Sequence, residues 1–278
     1  MFTLNCKGRL LVAEAPLVMG IINVTPDSFY AGSRMTDTGT ILSRAGRMLD
    51  EGAAMLDIGG QSTRPGSERV SEEEELKRVI SAVEAIHEKF PEAIISIDTY
   101  YAKVASYAVQ AGASVVNDIS AGQLDPGMIP AVAGLSVPYI LMHMQGVPGG
   151  MQENPAYRNV TAEVLDFLIQ QSARLEEAGI RDIIIDPGFG FGKTIAHNFE
   201  LLRNLAVFRM LNKPILAGIS RKSTIYKTLN ITPEQALNGT TVLHTIALLN
   251  GASILRVHDV KEAVEAVRLC TEMKGSAM

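Results

Sequence analysis

Eight short apolar runs, at residues 17–23, 55–60, 94–99, 115–120, 139–144, 183–188, 215–220 and 254–259, each carry a polar or charged side chain at or near their end. A continuous apolar run suits a strand buried on both faces, as in a parallel sheet. Stretches with helical character lie between the runs, at 40–51, 71–90, 101–111, 160–178, 198–211, 233–250 and 260–274. The alternation predicts an α/β protein, a (β/α)8 barrel of parallel strands. A strand pair at 2–5 and 9–13, turning at Lys7-Gly8, is expected to cover the N-terminal end of the barrel. In such a barrel the chemistry sits where the strands end.

The pattern within elements sharpens this. Ser71 and Glu74 have capping-box spacing, and Glu72, Glu73, Glu74 and Glu75 suit a helix N-terminus. The glutamate run therefore reads as a solvated, helix-stabilising turn. Leu76, Val79, Ile80, Val83 and Ile86 follow at core spacing. Gly112 and Gly179 mark helix ends. Alternation along strands puts Arg256 and His258 on one face, Ile21 and Asn23 on another, and Gly218, Ser220 and Lys222 together on a third. Asp57, Asp98, Asp186 and Arg256 fall late in their runs, and a wet barrel mouth accommodates them at least cost.

Composition narrows the class. The 278 residues are 47% hydrophobic and 20% charged, enough for a large core in one domain spanning 1–278. A net charge of −5 argues against non-specific nucleic-acid binding. Cys6 and Cys270, far apart, suggest reduced thiols in a cytoplasmic protein. No signal-peptide pattern or bilayer-length apolar run is evident.

Two motifs mislead. The stretch Gly188-Phe-Gly-Phe-Gly-Lys-Thr194 looks like a nucleotide loop, but Pro187 stands where a Walker A loop needs glycine. Lys193 stands where a dinucleotide fingerprint needs its third glycine. These glycines suit a tight turn or close backbone approach to a flat ligand. The five histidines show no zinc spacing; His87, His197 and His244 fall in helices, His143 and His258 at strand ends.

The strand-end peptides carry a resemblance when taken together. They are Gly20-Ile-Ile-Asn-Val-Thr-Pro-Asp-Ser-Phe29, Asp57-Ile-Gly-Gly-Gln-Ser-Thr-Arg-Pro-Gly66, Ile97-Asp-Thr99, Asn117-Asp-Ile119, Leu141-Met-His-Met144, Asp186-Pro-Gly-Phe-Gly-Phe-Gly-Lys193, Ser220-Arg-Lys-Ser223 and Arg256-Val-His-Asp259. In this order, over nearly the whole chain, they resemble the dihydropteroate synthases, pterin-binding TIM barrels of folate biosynthesis. The resemblance implies condensation of hydroxymethyl-dihydropterin pyrophosphate with para-aminobenzoate, giving dihydropteroate and pyrophosphate. It also implies Mg²⁺, sulfonamides as aminobenzoate mimics, and a homodimer through late helices.

Three sub-sites are then expected. Asp186 would accept paired donors of the pterin edge, with Asn117 supplying amide hydrogen bonds and Lys222 a donor. By resemblance Asp98 contacts the ring and Met142 packs on it, with Gly218 beside them. The alternative for Asp98, capping the next helix, is less favoured because Thr99 can serve there. Arg256, His258, Thr63 and Arg64 would hold the diphosphate, with Asn23 as an oxygen ligand to Mg²⁺. Phe191 and Pro65 would form the aminobenzoate slot, with Ser223 and backbone N–H groups at its carboxylate. Arg221 reads as a structural ion pair. The C–O bond would break early, in an SN1-like step. Asp98, Lys222, Arg256 and His258 would stabilise the separating charges, and the arylamine would then attack. Loops 24–34 and 61–69 would exclude water.

Two departures from the family pattern stand out. Tyr30-Ala31-Gly32-Ser33 replaces Ser-Asp-Gly-Gly, and Gln61 replaces a glutamate. Two other readings share parts of this pattern. A pterin-binding methyltransferase domain would need no pyrophosphate site, and an inactive homologue would act only by binding.

Overall fold

In the computed structural model, which describes residues 1–24, 34–61, 70–147, 151 and 155–275, eight parallel strands carry the fold. An antiparallel pair, β1 (Phe2–Cys6) and β2 (Arg9–Ala13), precedes them. Its turn is Lys7-Gly8, both at positive φ, as a tight two-residue hairpin requires. The barrel strands are β3 (Leu17–Asn23), β4 (Met55–Gly59), β5 (Ile94–Asp98), β6 (Val115–Asp118), β7 (Tyr139–Met142), β8 (Ile183–Asp186), β9 (Leu216–Ala217) and β10 (Ile254–Val257). They neighbour one another in the order β8-β7-β6-β5-β4-β3-β10-β9. A parallel bridge from Ile185 to Ile215, with Ile185 N–H donating to Pro214 O at 2.9 Å, closes the ring between β8 and β9.

Helices α1 (Arg34–Asp50), α2 (Glu72–Lys89), α3 (Ala102–Ala111), α4 (Met128–Leu135), α5 (Val160–Glu177), α6 (Ile195–Arg203), α7 (Ser223–Leu229), α8 (Leu237–Leu249) and α9 (Val260–Gly275) surround the strands. None among the described residues is long and apolar enough to cross a membrane. Helix α4 has no counterpart in the pattern. Its sequence, MIPAVAGL, is apolar throughout and offers no amphipathic period. Helix α2 starts where expected, with Ser71 Oγ accepting from Glu74 N–H at 3.3 Å. The glutamate run is not uniformly solvated, however. Glu75 is fully buried, beneath Gly60.

Strand parity sorts the barrel interior into layers. Its lower layer takes one side chain from each strand: Met19, Met55, Ile94, Val115, Ile140, Ile184, Leu216 and Ile254. Leu4 and Cys6 of the hairpin join this cluster and seal the N-terminal end, as expected. Each buried aliphatic side chain contributes about 1.5–3 kcal/mol. Above this plug, the same parity brings Asp57, Ser96, Asp98, Asn117, Met142, Asp186, Gly218 and Arg256 inward. The polar layer therefore rests on a dry, closed base.

Candidate active site

Arg256 of β10 organises the C-terminal mouth. Its Nε pairs with Asp57 Oδ2 and its second terminal nitrogen with Asp98 Oδ2. Asn117 Nδ2 donates to the same Asp57 oxygen at 3.0 Å. That bond fixes the amide, so Asn117 offers its carbonyl oxygen as an acceptor. Asp57 is completely buried, and its Oδ1 has no hydrogen-bond partner among the described residues. Its late position in the run was visible in the sequence, but its part in the network was not. Only the ring of strands brings Asp57 to Arg256, 199 residues away.

A second cluster lies on β8 and the β9–α7 connection. Asp186 Oδ1 accepts from Gly188 N–H at 2.7 Å. A side chain at Gly218 would lie 3.8 Å from Asp186 Oδ2 and 3.9 Å from Lys222 Nζ, so the missing Cβ keeps this space open. Lys222 donates to Phe189 O, and its Nζ sits 4.5 Å from the Phe191 ring centroid, within cation–π range. Phe191 packs with Tyr100, Ile119, Met142 and Met151. This is the apolar wall of the mouth.

His258 lies two residues beyond Arg256. Its N–H donates to Ser220 Oγ at 3.1 Å, and Ser220 Oγ lies 3.1 Å from His258 Nδ1. The serine oxygen accepts from the backbone and its own proton is free to donate to Nδ1. In that arrangement the imidazole carries its hydrogen on Nε2. Asn23, the last residue of β3, is exposed beside Gly59 in the β4 register. Ser223 is the first residue of α7 and half-buried. Thr63, Arg64 and Pro65 lie outside the described residues, as do residues 25–33 and 62–69 of the expected water-excluding loops.

Three carboxylates, Asp57, Asp98 and Asp186, thus face two cations, Lys222 and Arg256. Burial pushes Asp98 up to about 7 against the pull of Arg256, with Asp57 adding to the rise. Burial also raises Asp186, opposed chiefly by Lys222. Lys222 is lowered to about 8 by burial, which Asp186 partly offsets. For Arg256 burial is outweighed by Asp57 and Asp98, which hold the guanidinium firmly charged. His258 is lowered to about 4 by burial and then by Arg256, so it is neutral at pH 7.

Neighbouring groups brace the site. Arg221 forms a two-point pair with Asp259, at 2.8 Å on each arm, as its sequence context suggested. Asp98 does not cap α3. Thr99 Oγ1 accepts from Tyr101 N–H at 3.2 Å, and Asp125 accepts from Ala102 N–H at 2.7 Å. Gln61 is tied to buried Glu75, its Nε2 donating to Oε2 at 2.7 Å, and to both backbone groups of Val70. An amide there donates to Glu75, where a second carboxylate would meet it with like charge.

An ion-paired polar mouth above an apolar plug, on a closed parallel barrel, is the setting of a barrel enzyme, and the sequence carries a family signature: the profile described as "Pterin binding enzyme" matches residues 19–258. The chain belongs to this family, and within it to the dihydropteroate synthases. The dihydropteroate synthase of Escherichia coli K12 is 47% identical over 268 residues, covering 96% of this chain and 94% of its own. Two solved structures share the fold. The Yersinia pestis dihydropteroate synthase with a sulfonamide drug complex is 42% identical, with a TM-score of 0.92 over 99% of this chain and 100% of that one. The Xanthomonas albilineans enzyme with 4-aminobenzoic acid is 43% identical, with a TM-score of 0.91 over 98% of each chain.

Proposed function

We propose that this chain, acting as one domain over 1–278, joins hydroxymethyl-dihydropterin pyrophosphate to para-aminobenzoate and releases pyrophosphate. The observation that carries this reading is the convergence of Asp186, Asn117, Lys222 and Arg256 on one barrel mouth above an apolar plug. Asp186 accepts adjacent N–H donors of the pterin edge, and the Asn117 carbonyl, fixed by Asp57, accepts another. Met142 packs on the ring. Lys222, next to Asp186, donates to ring acceptors.

As the C–O bond opens, positive charge spreads over the dihydropterin. Asp98 is placed to answer it, since a nearby cation favours the ionised form of this carboxyl. Arg256, with His258 donating through Nε2, faces the departing diphosphate. The guanidinium is preorganised by Asp57 and Asp98, so it needs little rearrangement to receive new charge. Phe191 provides the apolar side of the aminobenzoate slot and Ser223 a hydroxyl for its carboxylate. Thr63, Arg64 and Pro65 complete the sub-sites in this reading. The arylamine attacks as a neutral nucleophile, so no strong base is required.

Mg²⁺ would lean chiefly on the diphosphate and its own waters, with Asn23 as the one protein oxygen this reading assigns to it. Asn23 offers an exposed neutral oxygen, and this ion commonly keeps waters and leans on substrate phosphates. When bound it would neutralise diphosphate charge. We assign the reaction to the cytoplasm, where the buried free thiols Cys6 and Cys270 stay reduced. A homodimer through α8 and α9 accounts for exposed Val242, Leu249, Leu269 and Met273. The test is pyrophosphate release from the pterin diphosphate and Mg²⁺, with and without aminobenzoate. Aminobenzoate-dependent release supports the synthase. A corrinoid-dependent methyl transfer, or no turnover, sinks it.

A further inference from the structure

Lys193 closes the glycine-rich stretch that matches no nucleotide loop, and the mechanism above does not use it. It is almost fully buried. Its Nζ reaches Gly188 O at 2.9 Å, Phe191 O at 3.0 Å, His143 Nδ1 at 2.9 Å and His143 O at 3.3 Å. The three carbonyl oxygens accept, and His143 Nδ1 accepts or donates according to its tautomer. Burial pulls the Lys193 amine well below the usual lysine range, with Asp186 opposing the fall; charged or neutral, its N–H groups bridge the loop carbonyls to the end of β7. Burial and then Lys193 lower His143 to about 3, so its ring is neutral.

The segment that Lys193 grips is the one that forms the apolar wall of the site. Gly188, Gly190 and Gly192 all have positive φ. A Cβ at Gly188 would fall 1.9 Å from His143 O, and one at Gly192 2.3 Å from Gln145 O. The loop thus lies directly on the backbone beyond β7. Gly190 N–H is held by Asn198 Oδ1 at 2.7 Å. Between these anchors the loop presents Phe189 O to Lys222 and the Phe191 ring beneath it.

We propose that Lys193 is a positioning residue, a buried staple whose Nζ locks the 188–191 loop to the end of β7 and so fixes Phe191 in the aminobenzoate slot. It touches no substrate, since the partners named above occupy its head group. The inference rests on the synthase reading for the slot, but the staple itself can be tested without turnover. Losing the Nζ donor leaves Phe191 O and His143 O without this partner and Gly188 O with the Phe191 N–H alone, and the loop relaxes around Phe191.

The test compares wild type with Lys193→Met, checked for folding by circular dichroism. The expected result is a rise of at least tenfold in KM for aminobenzoate, with kcat and the KM for the pterin diphosphate within threefold of wild type. In protein labelled with 4-fluorophenylalanine, the Phe191 ¹⁹F signal, assigned through Phe191→Leu, should broaden or shift. A folded Lys193→Met protein with an unchanged aminobenzoate KM and an unmoved Phe191 signal overturns the proposal. If Lys193→Met does not fold, Lys193→Gln, with N–H donors on a shorter stem, must show the same split. If neither folds, Lys193 serves stability alone and the proposal falls. Should wild type show no aminobenzoate-dependent pyrophosphate release, the synthase reading fails, while the ¹⁹F signal still decides the staple.

Discussion

The two ends of the barrel interior are built by the same strands with the same inward parity, yet they differ completely. At the base, Met19, Met55, Ile94, Val115, Ile140, Ile184, Leu216 and Ile254 close on Leu4 and Cys6 of the hairpin. One inward step along the strands, Asp57, Asn117, Asp186 and Arg256 meet instead. Burial costs polar groups dearly unless each finds a partner. The base avoids that cost by excluding them. The mouth accepts it, and the result is Asp98 near 7, Lys222 near 8 and a neutral His258. Stability is concentrated at one end and reactivity at the other.

The contrast can be broken from either side. Arg256→Ala should have the largest effect, lowering pyrophosphate release by about 10³-fold. It should also cost about 3–5 kcal/mol in urea unfolding, because Asp57 and Asp98 lose their shared counter-ion. Full turnover in that variant would refute the assignment of Arg256. Met55→Ala, at the base, should do the reverse. Unfolding should show a loss of about 2–5 kcal/mol, with kcat/KM near wild type at a temperature where the variant is folded.

Asp98→Asn sharpens the comparison through pH. The folded carboxyl titrates near 7, so its ionised fraction grows as pH rises through that value. For wild type, kcat/KM for the pterin diphosphate should therefore fall below about pH 7 along a one-proton limb. The asparagine variant should lose that limb and run about 10²-fold slower. His258 contributes no limb between pH 5 and 8, since it is already neutral there. The smallest effect is expected from Ser220→Ala, about tenfold in kcat/KM. There the Nδ1 partner disappears, and ¹⁵N shifts should report His258 sampling both tautomers. A single unchanged tautomer would remove Ser220 from the site.

Much of this was readable along the chain, element by element. The run at 17–23 became β3 without change, and 94–99 lost only Thr99. The run at 215–220 shrank to Leu216–Ala217, because Arg221, at positive φ, turns the chain into α7. Helix α4 escaped detection since an all-apolar octapeptide has no period to read. Glu75 was misread for the opposite reason. Its place in a glutamate run and a helix first turn looked like solvent, but α2 packs that position under Gly60 and against Gln61. Asp57 looked like one more late carboxylate until the ring of strands set it between Arg256 and Asn117.

Sequence alone determined the alternation of strand and helix, the inward parity and the residue types at each strand end. These follow from local periodicity and need no knowledge of distant neighbours. What the tertiary structure decided was pairing: which carboxylates hold Arg256, which way the Asn117 amide faces, which histidines are neutral, and that Lys193 is buried against the end of β7. Such properties depend on distance and on exclusion of water, and both exist only once the barrel has closed.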